Sequence, residues 1–132
     1  MIVADTNLIA YLFIEGEFTK QAESIYQSDS NWIAPYLWRS EFRNILAFYL
    51  RKEILSLAES KTIAKSAEEL LMDNEFELDS EDILGLAASS SLSAYDCEYV
   101  VLAQKLEVKL ITNDKKILRQ FPDFAIDMKS IS

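Results

Sequence analysis

Ile2-Val3-Ala4-Asp5 is the stretch whose reading decides the fold. Its wholly apolar run leaves no polar face for solvent, so it is expected to be a short strand buried on both sides, as in a parallel sheet covered by helices. A second run of this kind comes late in the chain, Lys109-Leu110-Ile111-Thr112, followed at once by Asn113-Asp114. Open parallel sheets place their ligand crevice beyond the carboxyl ends of the strands. With the late strand placed beside the first, Asp5 and Asp114 are expected to share one sheet edge.

The intervening sequence supplies alternating helices and strands. Helical spacing is predicted over residues 7–13 and 19–27, the latter with Ala22, Ile25 and Tyr26 on one side, before the turn cluster Asp29-Ser30-Asn31 and a strand at Trp32-Ile33-Ala34. Pro35 is expected in the first turn of the next helix, where its missing N–H does no harm. Over residues 36–52, Trp38, Phe42, Ile45, Leu46 and Tyr49 form one apolar face. Further helices are predicted at 56–72 and, capped by Ser80, at 80–91, with a short strand at 75–78 between them. A sixth helix begins at Ser93-Ala94-Tyr95-Asp96, a short one runs to about residue 120, and Phe124-Ala125-Ile126 forms a last strand. This alternation implies right-handed crossovers and an α/β fold, a three-layer α/β/α sandwich around a mostly parallel sheet.

Composition sets the limits. At 132 residues and 50% hydrophobic the chain buries one proper core, so a single domain over 1–132 is expected. One cysteine, Cys97, excludes an internal disulfide, and thiolate catalysis is disfavoured because no histidine is present to serve as its base. Apolar runs such as residues 99–103 fall far short of the ~20 residues of a membrane helix. With no secretory-type start, a cytoplasmic location is expected. Oxygen is the plentiful ligand, which suits Mg2+ or Mn2+ and not zinc. The net charge of −9 excludes blanket electrostatic attraction to nucleic acid, although a cation held by carboxylates reverses the sign locally.

Four carboxylates stand out, each with an ordinary alternative. Asp5 fits a ligand at a strand end or an N-cap of the helix that follows, with Asn7 either orienting it or serving as a turn residue. Glu41 falls at the margin of its helix's apolar face, while Arg39 and Arg43 point nearly the opposite way; it is either buried for a purpose or an edge residue whose head reaches water. Ser93-x-x-Asp96 matches a capping box, which needs no ligand. Asp114 is an N-cap candidate too, and capping and ligation are compatible at a helix N-terminus. Glu98 points away from Asp96 and reads as solvated or as an accessory group.

The segments Ile2-Val3-Ala4-Asp5-Thr6-Asn7, Glu41-Phe42-Arg43-Asn44, Ser93-Ala94-Tyr95-Asp96-Cys97-Glu98-Tyr99 and Leu110-Ile111-Thr112-Asn113-Asp114 together resemble the PIN domain family, in family order and over nearly the whole chain. The single-domain length is similar to the VapC-like toxins of prokaryotic toxin–antitoxin pairs. That resemblance implies a PIN-like sandwich and a Mg2+- or Mn2+-dependent endoribonuclease, with Asp5, Glu41, Asp96 and Asp114 as its catalytic and metal-binding acids and Asn7 and Thr112 in support. It implies an RNA substrate, a cognate antitoxin and a homodimer. The alternatives are a PIN nuclease of RNA processing and a catalytically silent interaction module using Trp32, Trp38 or Tyr49. A phosphotransfer domain is disfavoured, because Asp5-Thr6-Asn7 lacks a second aspartate.

Overall fold

The computed structural model describes residues 1–131. Its elements run β1 (Ile2–Ala4), α1 (Thr6–Phe13), α2 (Thr19–Ser28), β2 (Trp32–Pro35), α3 (Leu37–Arg51), α4 (Leu57–Leu70), β3 (Glu75–Phe76), α5 (Ser80–Ala88), α6 (Ala94–Leu106), β4 (Lys109–Thr112), α7 (Lys115–Gln120) and β5 (Ala125–Asp127), with a closing 3-10 turn at Met128–Ser130. The strands form one sheet in the order β3-β2-β1-β4-β5. Every neighbouring pair is parallel, so the sheet is wholly and not just mostly so.

Strand order explains where a ligand belongs. The chain travels outward from β1 through β2 to β3, then crosses back over β1 to build β4 and β5 on its far side. Right-handed crossovers made in opposite directions put their helices on opposite faces. In agreement, α1 packs on α2, α3 and α4, whereas α6 pairs with α5 and lies along β1, β2 and β4. The reversal occurs between β1 and β4, where the loops leave in opposite directions and open a crevice.

The central strands are apolar because they are enclosed: Ile2, Val3 and Ala4 are all buried, as are Leu110 and Ile111. Trp32 and Trp38 are fully buried too, which removes both from any docking surface. Local chemistry shifts several predicted boundaries. Pro35 ends β2 opposite Phe76 instead of starting α3, and Tyr36, the next residue with an N–H, donates to the Phe76 carbonyl. At α5 the N-cap is Asp79 and not Ser80, and the helix stops at Ala88. Beyond it the serines bond locally, Ser89 Oγ donating to the Leu86 carbonyl and Ser90 Oγ accepting from Leu92 N.

Candidate functional site

Register between β1 and β4 assembles the core of the site. Ala4 lies opposite Ile111, and the Asp5 N–H donates to the Ile111 carbonyl at 3.2 Å. The next residues, Asp5 and Thr112, are therefore neighbours, and Thr112 Oγ1 donates to Asp5 Oδ2 at 2.5 Å. That same oxygen of Thr112 accepts from Asp114 N, while Asp114 Oδ1 accepts from Ile117 N and caps α7. Asp5 holds the N-cap position of α1 yet makes no side-chain capping bond. At α6 the cap is Ser93, whose Oγ accepts from Asp96 N, so Asp96 sits in the first turn. Of the carboxylates read as possible caps, Asp114 alone caps with its side chain.

Glu41 arrives from α3 on the other side of the crevice. Its Oε1 accepts from Thr6 Oγ1 at 2.8 Å and from Tyr99 Oη at 2.6 Å, and those two hydroxyls also touch each other. Asp5, Glu41, Asp96 and Asp114 line one cleft of about 280 Å³ with Thr6, Asn7, Asn44 and Ile45. Asn7 donates to Asn113 Oδ1 at the rim, and among the described residues it makes no side-chain hydrogen bond to Asp5. Sequence reading passed over Thr6 and took Tyr99 for an inner helix residue; its one signal was a position one turn beyond Asp96, on the same helical face.

Crowding of like charge shows in the proton affinities. Burial, helped by the charges of Glu41 and Asp96, pushes the Asp5 carboxyl up to about 6 against the opposing bonds from Thr112 and the Thr6 backbone. Asp96 is raised by burial and then by the Asp114 and Glu41 charges, with Ser93 and Lys116 opposing. Burial and Glu41 raise Glu98 as well. Tyr99 is held protonated by burial beside Glu41. Cys97 is buried in the core, and its burial raises the thiol.

The donor set is oxygen throughout, which fits a hard divalent cation. Among the described residues no group of three or more acids, histidines or cysteines is gathered tightly enough to hold a metal ion directly.

A doubly wound parallel sheet with four carboxylates around the crevice at its switch point defines a class, and the chain belongs to the PIN domain family, which matches residues 2–122. Among individual proteins it is similar to Ribonuclease VapC3 of Pyrobaculum aerophilum, 27% identical over 124 residues that cover 92% of this chain and 95% of that protein. The fold is shared with the crystal structure of PAE2754 from Pyrobaculum aerophilum, at a TM-score of 0.75 and 19% identity over 98% of this chain and 91% of that one. It is shared also with a toxin–antitoxin complex from Klebsiella pneumoniae, at a TM-score of 0.70 and 16% identity over 97% and 98% of the two chains.

Proposed function

We propose that the protein is a Mg2+- or Mn2+-dependent endoribonuclease, the toxin of a toxin–antitoxin pair. The observation that carries this reading is the convergence of Asp5, Glu41, Asp96 and Asp114, from two helices and two strand-to-helix junctions, on one cleft of a PIN fold. Similarity to a protein named as a VapC ribonuclease supports it.

Asp5 and Asp96 are the principal metal ligands, direct or through water, and Glu41 and Asp114 complete the cage or orient the attacking water. When bound, the cation acidifies water and stabilises negative charge on the phosphoryl and departing oxygens. Thr112 keeps Asp5 aimed at the cleft by bonding one of its oxygens. Lys116, close enough to Asp96 to lower its proton affinity, contributes a positive charge beside an otherwise acidic cleft. The net charge of −9 makes cation-free RNA binding weak.

Partners follow from exposed apolar side chains. Phe48, Ile54 and Leu57 are open to solvent around the α3–α4 turn, which suits a protein partner such as an antitoxin, and Leu84 and Tyr95 on α5 and α6 suit a second copy of the chain. No helix among the described residues is long and apolar enough to cross a membrane.

Incubation of the purified protein with RNA is expected to give cleavage with Mg2+ or Mn2+ and none with EDTA. The same ions are expected to raise the melting temperature of the wild type but not of Asp5→Asn. RNA left intact under all conditions, with equal thermal shifts in both proteins, would favour a silent interaction module.

A further inference from the structure

We propose that Tyr99 is a positioning residue which, with Thr6, commits one oxygen of Glu41 to the protein frame and leaves the other to the cleft. The geometry comes from three helices: Thr6 opens α1, Glu41 lies in α3 and Tyr99 in α6. Two hydroxyl groups, both on residues that are nearly inaccessible at 4% and 2% exposure, converge on Glu41 Oε1. Glu41 Oε2 has no hydrogen-bond partner among the described residues. No buried side-chain oxygen or nitrogen there lacks a partner, so Oε2 reaches solvent, and Glu41 lines the cleft. The asymmetry is functional in form: one oxygen is saturated by donors and the other is kept open.

A free glutamate turns about three side-chain bonds, and a site needs its reactive oxygen in one place before the ligand arrives. Thr6 follows Asp5 directly, so the pair also couples the placement of Glu41 to that of Asp5 across the crevice. The consequence for metal and RNA rests on the nuclease reading above, whereas the placement of Glu41 does not.

The test uses Tyr99→Phe, which keeps the buried ring and deletes the hydroxyl, beside Thr6→Val, Thr6→Ser and Glu41→Gln, each checked for native circular dichroism. Mn2+ affinity, read by electron paramagnetic resonance of the free ion, is expected to fall roughly tenfold in Tyr99→Phe, the scale seen when a group that orients a ligand is removed. RNA-cleavage kcat is expected to drop by a similar factor with KM unchanged. Thr6→Ser should match the wild type where Thr6→Val does not, and the double variant Tyr99→Phe/Thr6→Val should fall below either single variant but not below Glu41→Gln, which removes the charge itself. Wild-type Mn2+ affinity and kcat in Tyr99→Phe would overturn the proposal. Should the wild type itself neither bind Mn2+ nor cut RNA, the nuclease reading fails and metal-free crystals decide the positioning role. A displaced Glu41 carboxylate in Tyr99→Phe supports it; an unmoved one overturns it.

Discussion

Asp5 carries a large electrostatic cost in the site. Its carboxyl titrates near 6 in the folded chain against 3.8 for an ordinary aspartate. A raised acid binds its proton more tightly folded than unfolded, so the contribution of Asp5 to stability is greatest below about pH 4 and is lost as pH rises through about 6. The loss amounts to at most about 3 kcal/mol. Asn at this position keeps an oxygen to accept from Thr112 and cannot ionise. Urea titrations in EDTA at pH 5 and pH 8 are expected to show Asp5→Asn more stable than wild type at pH 8, with the gap reduced to roughly half at pH 5; a constant gap would remove the charge explanation. Asp114 separates capping from chemistry. Asp114→Asn can still accept from Ile117 N and is expected to melt near wild type while losing cleavage activity, whereas Asp114→Ala also loses about 1 kcal/mol of helix capping. Equal melting temperatures for the two variants would mean that the α7 cap contributes nothing.

At the scale of elements, the short edge strand β3 is held to the sheet by its pairing with β2 and to α3 by one ion pair. Arg39 on α3 grips Glu75 through Nε to Oε2 at 2.5 Å and through its terminal nitrogen to Oε1 at 2.8 Å, and Trp38 Nε1 donates to the same Glu75 Oε2. Arg39 also reaches Glu68 of α4 at 3.1 Å, so one guanidinium joins α3, α4 and the sheet. The Glu75 carboxylate is nearly enclosed, and the Arg39 bond holds it below its usual range. Its stabilisation is present above about pH 4.5 and lost as pH falls below that value. Glu75→Ala is expected to cost about 1–3 kcal/mol by leaving Trp38 Nε1 and the Nε and Nη2 of Arg39 without their acceptor, measured by denaturation at pH 7. An unchanged midpoint would mean that water replaces the carboxylate at no cost. Helical periodicity placed Arg39 on the polar side of α3 and was silent about this bond, because the partner lies on a strand 36 residues away. A full capping box likewise formed at Ser56 and Glu59 on α4, while Ser93 and Asp96 supplied only the serine half. The spacing is common to both segments, and the direction in which the acid turns depends on its surroundings.

Over the whole molecule, both tryptophans sit in the same core as the central strands. Heat unfolding followed by tryptophan fluorescence and by far-ultraviolet circular dichroism is therefore expected to give coincident transitions, as one cooperative domain requires. Separate midpoints would divide the chain. Removal of a large core side chain, as in Leu102→Ala on α6, is expected to shift both transitions together at a cost of about 2–5 kcal/mol.

The sequence by itself determined the alternation of helices and strands, the enclosure of the sheet and the predominance of oxygen donors, because each is written in short-range periodicity or composition, whereas the four acids are singled out as a set by the likeness of their segments to the PIN family. Tertiary structure alone decided what those acids touch. Parallel register set Thr112 beside Asp5, the return crossover brought Asp96 and Asp114 to the same crevice as Glu41, and hydroxyls on two other helices chose which Glu41 oxygen stays open. A carboxylate's role depends on distances, burial and neighbouring charge, and these are set by residues far away in the chain.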